Sequence, residues 1–139
     1  MTDIRIATAD ERQLCYDIRT QVFVDEQNVP LDLEIDEHED ECVHFIARID
    51  GQPMGTARLM DKGYAKLQRI AVSKDARGTG LGRALVQAML DRAMELGKSE
   101  ARLDAQVYAI PFYEKLGFKA EGPEFDDAGI PHRLMRKKL

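Results

Sequence analysis

The stretch AKLQRIAVSKDARGTGLGRALVQAMLDRAMELG, Ala65 to Gly97, decides the fold. Ala65 to Val72 has the composition of a strand, but its alternation slips: Ala65 and Leu67 are in one phase, Ile70 and Val72 in the other. One extra residue near Gln68–Arg69 produces such a slip, which is the sequence mark of a β-bulge. A loop follows from Ser73 to Gly80, with Lys74 and Arg77, and with glycines at every second place (Gly78, Gly80, Gly82) running into an amphipathic helix. The first amides of a helix have no intrahelical acceptor and the helix dipole favours anions there, so this glycine-opened terminus suits a phosphate-bearing ligand. Two familiar phosphate loops do not fit. The triphosphate loop needs G-x-x-x-x-G-K-[ST], and no lysine–hydroxyl pair follows these glycines. The dinucleotide fingerprint G-x-G-x-x-G starts at Gly78 and Gly80 but meets Arg83 where its third glycine belongs.

Working outward toward the C-terminus, Leu81, Ala84, Leu85, Ala88 and Met89 form the expected buried stripe of the helix. Arg83, Asp91, Arg92 and Glu95 lie outside it, and Gly97 stops it. Ala101 to Ala105 is the next strand, and strand–loop–helix–strand implies a crossover with the two strands parallel. Gln106 to Gly117 is predicted as a short helix with Pro111 in its first turn. Phe118 opens a strand, Gly122 to Gly129 is expected as a loop, and His132 to Lys137 closes the chain as a strand. Toward the N-terminus, Asp61-Lys62-Gly63 turns the chain back into Met54–Met60, and Asp50-Gly51 turns that into Val43–Ile49, giving an antiparallel meander. Asp3 to Ala7 alternates as a first strand. A first helix is expected with Asp10 as N-cap and Gln13 as its capping-box partner, running to about Phe23 on Leu14, Ile18 and Val22.

Between these lies Val22 to Glu41, where Pro30 blocks a continuous helix and seven acidic residues crowd between Asp32 and Glu41. Two readings stay open: a solvated loop or short helix, or a lining of carboxylates that attracts a cationic amine and accepts its proton. A metal site from Asp36, His38, Asp40, Cys42 and His44 lacks the calcium-loop pattern and any i,i+4 histidine pair, so no metal is expected. The chain has 139 residues, enough for one domain spanning 1–139 with a single sizeable core. At 44% hydrophobic and 32% charged it has the composition of a soluble globular protein. The absence of a membrane-length apolar run and of a signal-peptide pattern leads to the expectation of a cytoplasmic protein. Two cysteines, Cys15 and Cys42, are expected as reduced thiols. A net charge of -5 argues against nucleic-acid partners. Against it, Lys74, Arg77 and Arg83 make a local anion site.

Arg77-Gly78-Thr79-Gly80-Leu81-Gly82 resembles the [Q/R]-x-x-G-x-[G/A] loop of the GCN5-related N-acetyltransferases (GNAT). Ala109-Ile-Pro-Phe-Tyr-Glu-Lys-Leu-Gly-Phe118 resembles the A-x-x-F-Y-x-x-L-G-F segment of the same family, at the expected distance. Val22-Phe-Val-Asp-Glu-Gln27, Glu34-Ile-Asp36 and His44 are similar to the short, stand-alone ElaA-like bacterial branch. Together these cover nearly the whole chain. The resemblance implies an α/β (α+β) fold: a mixed central sheet with an antiparallel N-terminal meander, a bulged central strand and a parallel neighbour, flanked by helices. It also implies acetyl-coenzyme A as cosubstrate, with its pantetheine arm on the backbone of Ile70, Ala71 and Val72. Its pyrophosphate would then lie on Gly78, Thr79, Gly80, Leu81, Gly82 and Arg83. Arg77 stands where glutamine is frequent, and Gln106 where many members place an asparagine that contacts the pantetheine arm.

Tyr113 matches the family tyrosine that protonates the departing thiolate; packing beside Phe112 is the alternative, and Tyr108 is near enough to substitute. The general base is left open among Glu26, His44 and a water relay from the acidic run. The implied reaction is direct transfer of acetyl to a primary amine, small molecule or peptide, in a ternary complex without metal or covalent intermediate. A non-catalytic acyl-coenzyme A sensor on the same fold is the rival reading, and a homodimer stays open.

Overall fold

The computed structural model describes residues 1–139, through which one seven-stranded mixed sheet runs. Strand β1 (Thr2–Ile6) pairs antiparallel with β2 (Val43–Ile49), β2 with β3 (Gln52–Asp61) and β3 with β4 (Ala65–Val72). Asp50 and Gly51, both at positive φ (49° and 83°), make the tight turn whose hand matches strand twist. Helix α3 (Leu81–Glu95) carries the chain across to β5 (Glu100–Gln106), parallel to β4. Strands β6 (Lys119–Asp127) and β7 (Ile130–Lys138) complete the order β1-β2-β3-β4-β5-β7-β6. The mixed sheet, the antiparallel meander, the bulge and the parallel neighbour agree with the sequence expectation.

The core lies between α3 and one face of the sheet. Leu81, Leu85, Val86, Met89, Leu90 and Ala93 pack there against Phe45, Ala57, Leu59, Leu67 and Leu103. Burying each large side chain contributes about 1.5–3 kcal/mol. Val86, Leu90 and Ala93 belong to this stripe, whereas Ala84 and Ala88 of the expected stripe sit at its half-buried margin. Gly55 lets β3 approach α3: a Cβ there would stand 2.9 Å from Leu85 Cδ1. On the opposite face α1 (Arg12–Arg19) buries Cys15 and Ile18, and Val22 beyond it packs on Ala71.

Four boundaries differ from expectation. Thr8, not Asp10, is the N-cap of the turn that leads into α1, and its N–H donates to Glu11 Oε1 at 3.0 Å, so the reciprocal partner is Glu11 and not Gln13. Glu11 wins because its carboxylate also takes Arg5 and Arg48. Beyond Arg19 the chain stays helical but widens into a π-turn over Thr20–Glu26, further than Phe23. Gln106 ends β5 and does not begin the following helix, whose regular part, α4, spans Ile110–Glu114. The expected loop from Gly122 is largely strand: Gly122, Pro123 and Glu124 bulge opposite Arg133, and pairing resumes at Phe125. On an edge strand, turn residues are accommodated as a bulge because Pro123 has no inner ladder to break.

Candidate functional site

The bulge makes the site. Arg69 takes a φ of 52°, and β4 loses register with β3 between Thr56 and Arg58. Beyond it β4 turns away from β5, so the parallel ladder holds only at Ala65–Ala101 and Lys66–Arg102. On its other side β4 remains paired, Thr56 with Ala71 and Gly55 with Val72. The backbone groups of Ile70, Ala71 and Val72 that face β5 are thereby left without a strand partner. The split opens a cleft of about 590 Å³, the size of a small-molecule site. Ile70, Ala71 and Val72 form one wall; Leu103, Asp104 and Gln106 form the other. The π-turn contributes Val22, Phe23, Glu26 and Gln27, and α4 contributes Tyr113.

At the end of β4 the cleft meets the glycine loop. Val72 and Arg77 line it, while Gly78, Thr79 and Gly80 stand exposed just beyond its rim. Gly78 and Gly80 have φ of 81° and 88°, the left-handed region, and Gly80 is the N-cap of α3. The first intrahelical bond runs from Ala84 N–H to Gly80 O at 3.1 Å, so the N–H groups of Leu81, Gly82 and Arg83 have no intrahelical acceptor. A Cβ at Gly78 or Gly80 would meet nothing within 4 Å, so their outer face is open, while Gly82 faces Phe112 and Val72. Open amides at a helix N-terminus, continuous with a cleft, make a cradle for a phosphate attached to an extended arm.

Tyr113 is half-buried, with its ring edge-to-face with Phe112 and Phe118 at centroid distances of 5.0 and 6.0 Å. Burial, assisted by Tyr108, pushes its phenol up to about 12, so the hydroxyl keeps its proton at neutral pH. Gln106 Nε2 donates to Gln27 Oε1 at 2.7 Å across the cleft. The exposed guanidinium of Arg77 holds Glu26 Oε1 at 2.6 Å through Nη2 and the Val72 carbonyl at 3.1 Å through Nε, while its Nη1 meets no protein acceptor. Glu26 therefore lies in the cleft but already carries a cation. His44 does not join the others. It is 2% exposed on β2, its Nε2 donates to the Glu39 carbonyl at 2.8 Å, and burial lowers its pKa.

These features match a known family. The acetyltransferase (GNAT) domain family matches residues 7–139. The chain belongs to the GNAT acetyltransferase family. It is 42% identical over 136 residues to the uncharacterized N-acetyltransferase YjcF of Bacillus subtilis, covering 95% of this chain and 97% of that protein. The crystal structure of an acyl-CoA N-acyltransferase from Pseudomonas aeruginosa is 30% identical and superposes with a TM-score of 0.85 over 99% of this chain and 98% of that one. Escherichia coli ElaA shares the fold with a TM-score of 0.87 at 23% identity, over 99% of both chains. No helix of this GNAT protein is long and apolar enough to cross a membrane.

The acidic run of this acetyltransferase divides: Asp32, Glu37, Asp40 and Glu41 are exposed, as on a solvated face, whereas Glu34, Asp36 and Glu39 are held by arginines. Arg19, 0% exposed, donates to Glu34 Oε2 at 2.7 Å and to Glu39 Oε1 and Oε2 at 2.9 and 2.8 Å. Arg58, 1% exposed, holds Asp36 and Glu39, each at 2.9 Å, and Gln68 at 3.0 Å. Arg69, at the bulge, reaches Glu34 Oε1 at 3.2 Å and Asp36 at 3.4 Å. Burial opposes ionisation of Glu39, but Arg19 and the Asp36 amide hold its carboxyl down at about 2. For Glu34, burial outweighs Arg69 and Arg19 and pushes the carboxyl up. Glu34 thus touches the cleft only as part of a neutralised cluster that ties α2 (Leu31–Glu34) to the bulge. Gln27, Asp104 and His132 also line the cleft. Gln27 closes the Val22–Gln27 segment that the sequence already marks, but nothing local marks Asp104 and His132, which the chain brings there only through the β5–β7 pairing.

Proposed function

We propose that the whole chain acts as one acetyl-coenzyme A-dependent N-acetyltransferase domain in which a primary amine attacks the thioester directly. The observation that carries this reading is the unfinished ladder between β4 and β5, opening onto the unpaired amides of α3. An extended amide-bearing arm completes such a ladder. Ile70, Ala71, Val72 and Gln106 hold that arm, and the amides of Gly78 to Arg83 hold the pyrophosphate. The cosubstrate supplies the activated acyl carbon. Arg77, paired with Glu26 at the mouth of the cleft, keeps Nη1 for the phosphates.

Tyr113 holds the proton for the leaving thiolate. Its phenol is kept neutral by burial, and no hydrogen bond within the protein contributes to that state, so the proton is free to be given. A route through a cysteine is disfavoured: Cys15 and Cys42 are buried, and burial pushes both thiols up and away from the reactive thiolate. Adding acetyl-coenzyme A should raise the melting temperature while ATP leaves it unchanged. With acetyl-coenzyme A bound, spermidine, glucosamine and an alanyl peptide should then be screened for amine-dependent thiol release. Stabilisation with turnover of an amine is the expected result. Stabilisation without any turnover returns the chain to the sensor reading, and no stabilisation removes the site.

A further inference from the structure

The geometry points to His132 as the general base of this transfer, accepting the acceptor amine's proton on its Nε2; the inference rests on the acetyltransferase reading above. Its Nδ1 lies 2.7 Å from the Ile130 carbonyl. A carbonyl only accepts, so Nδ1 carries the hydrogen and, in the neutral ring, the lone pair is on Nε2. His132 lines the cleft, and no protein group meets Nε2. The ring is stacked on Phe125, its cross-strand partner, with centroids 5.9 Å apart and planes at 24°, which fixes the direction in which Nε2 points. Directly opposite on the other side of β7 is Gln106, so the base stands beside the strand end at which the proposed pantetheine arm finishes.

The two other side-chain candidates lack this combination. The lone pair of His44 is on Nδ1, which is buried without a partner and sealed from solvent. Glu26 has its carboxylate on Arg77. The proton count closes with His132 and Tyr113 together. One ammonium proton passes to Nε2 and on to solvent, and the freed nitrogen lone pair forms the C–N bond at the thioester carbonyl carbon. The C–S bond then breaks and the thiolate takes the Tyr113 proton. A second N–H proton of the adduct converts the Tyr113 phenolate back to the phenol, leaving an amide, free thiol and one proton released.

Two measurements test this on the full chain. Nitrogen-15 spectra of the imidazoles in mildly alkaline buffer should show His132 as the Nδ1–H form and His44 as the Nε2–H form; an Nε2–H form of His132 overturns the proposal without reference to activity. With the amine that the wild-type enzyme acetylates best, His132→Gln should lower kcat/KM for the amine by roughly 10²-fold or more at unchanged acetyl-coenzyme A affinity. His132→Ala should recover part of its loss on addition of free imidazole. Wild-type turnover that His132→Gln leaves intact overturns the base alone. No wild-type turnover with any amine overturns the acetyltransferase reading and the base with it.

Discussion

The acidic segment from Asp32 to Glu41 and the glycine loop from Arg77 to Arg83 are both rich in polar groups, yet they stand in opposite states. In the acidic segment Glu34, Asp36 and Glu39 are consumed by Arg19, Arg58 and Arg69, three guanidiniums from three different elements. In the glycine loop the amides at the start of α3 have no partner, and on the opposite wall neither do the Tyr113 hydroxyl or His132 Nε2. Charge density marks a place where the fold is held, while unpartnered donors and lone pairs facing a cleft mark where a ligand is met. A buried, fully paired cluster costs desolvation and returns specificity of arrangement. Here it fixes α2 and the bulge, and so keeps the cleft open.

The largest effect should come from the paired side. Arg19→Met removes the cation between two buried carboxylates and should cost about 3–5 kcal/mol of stability. For a chain of this size that is a fall of roughly 10 °C or more in melting temperature, measurable by calorimetry. A loss below about 1 kcal/mol would break the distinction, because the carboxylates would then be reaching water.

Next in size is the open side. Gly80→Val puts a β-branched side chain at a φ of 88° and over the amide cradle. Coenzyme A affinity should fall at least tenfold, about 1.4 kcal/mol, in a variant that still folds. Titration calorimetry reads this, and unchanged affinity would detach the loop from the ligand.

Acid sensitivity should follow the paired cluster. Glu39 is held at about 2 in the folded protein and returns to the ordinary carboxylate range when unfolded. Its contribution is therefore present above about pH 4.5 and is lost as the pH falls toward about 2. Glu34, pushed up by burial, acts with the opposite sign and narrows the loss. Denaturant midpoints of the wild type and Glu39→Gln should converge as the pH falls through that window; a constant gap would mean that Glu39 titrates alike in both states. The smallest effect belongs to the exposed members of the same run: Glu37→Gln and Glu41→Gln should each shift stability by no more than about 0.5 kcal/mol.

Much of the architecture was legible in the sequence for a local reason. The phase slip at Gln68–Arg69, Asp50-Gly51 and the glycine loop each impose a backbone geometry that few other residues adopt, and all three occur where expected. The bulge in β6 was not legible, since Gly122-Pro123 signals a turn with the same residues that an edge strand accommodates. Of the candidate site, Ile70, Ala71, Val72, Arg77, Gln106, Glu26 and Tyr113 meet at one cleft, whereas His44 does not. The fates of the charged residues were illegible because pairing is a tertiary fact. Arg19, Arg58 and Arg69 follow no spacing that announces Glu34 or Glu39, and the Arg77–Glu26 pair spans two distant segments. His132 gains its meaning only from the Ile130 carbonyl and the strand beside it.

Tyr113 carries the proposed acid chemistry, its hydroxyl being the unpartnered donor of the open side. Single-turnover kinetics of Tyr113→Phe isolate the chemical step from product release, and the change keeps the ring packed against Phe112 and Phe118. The expected result is a loss of roughly 10²–10⁴-fold in the rate of acetyl transfer, less where Tyr108 substitutes, with acetyl-coenzyme A affinity and melting temperature nearly unchanged. A folded Tyr113→Phe protein that transfers acetyl at the wild-type rate would contradict it.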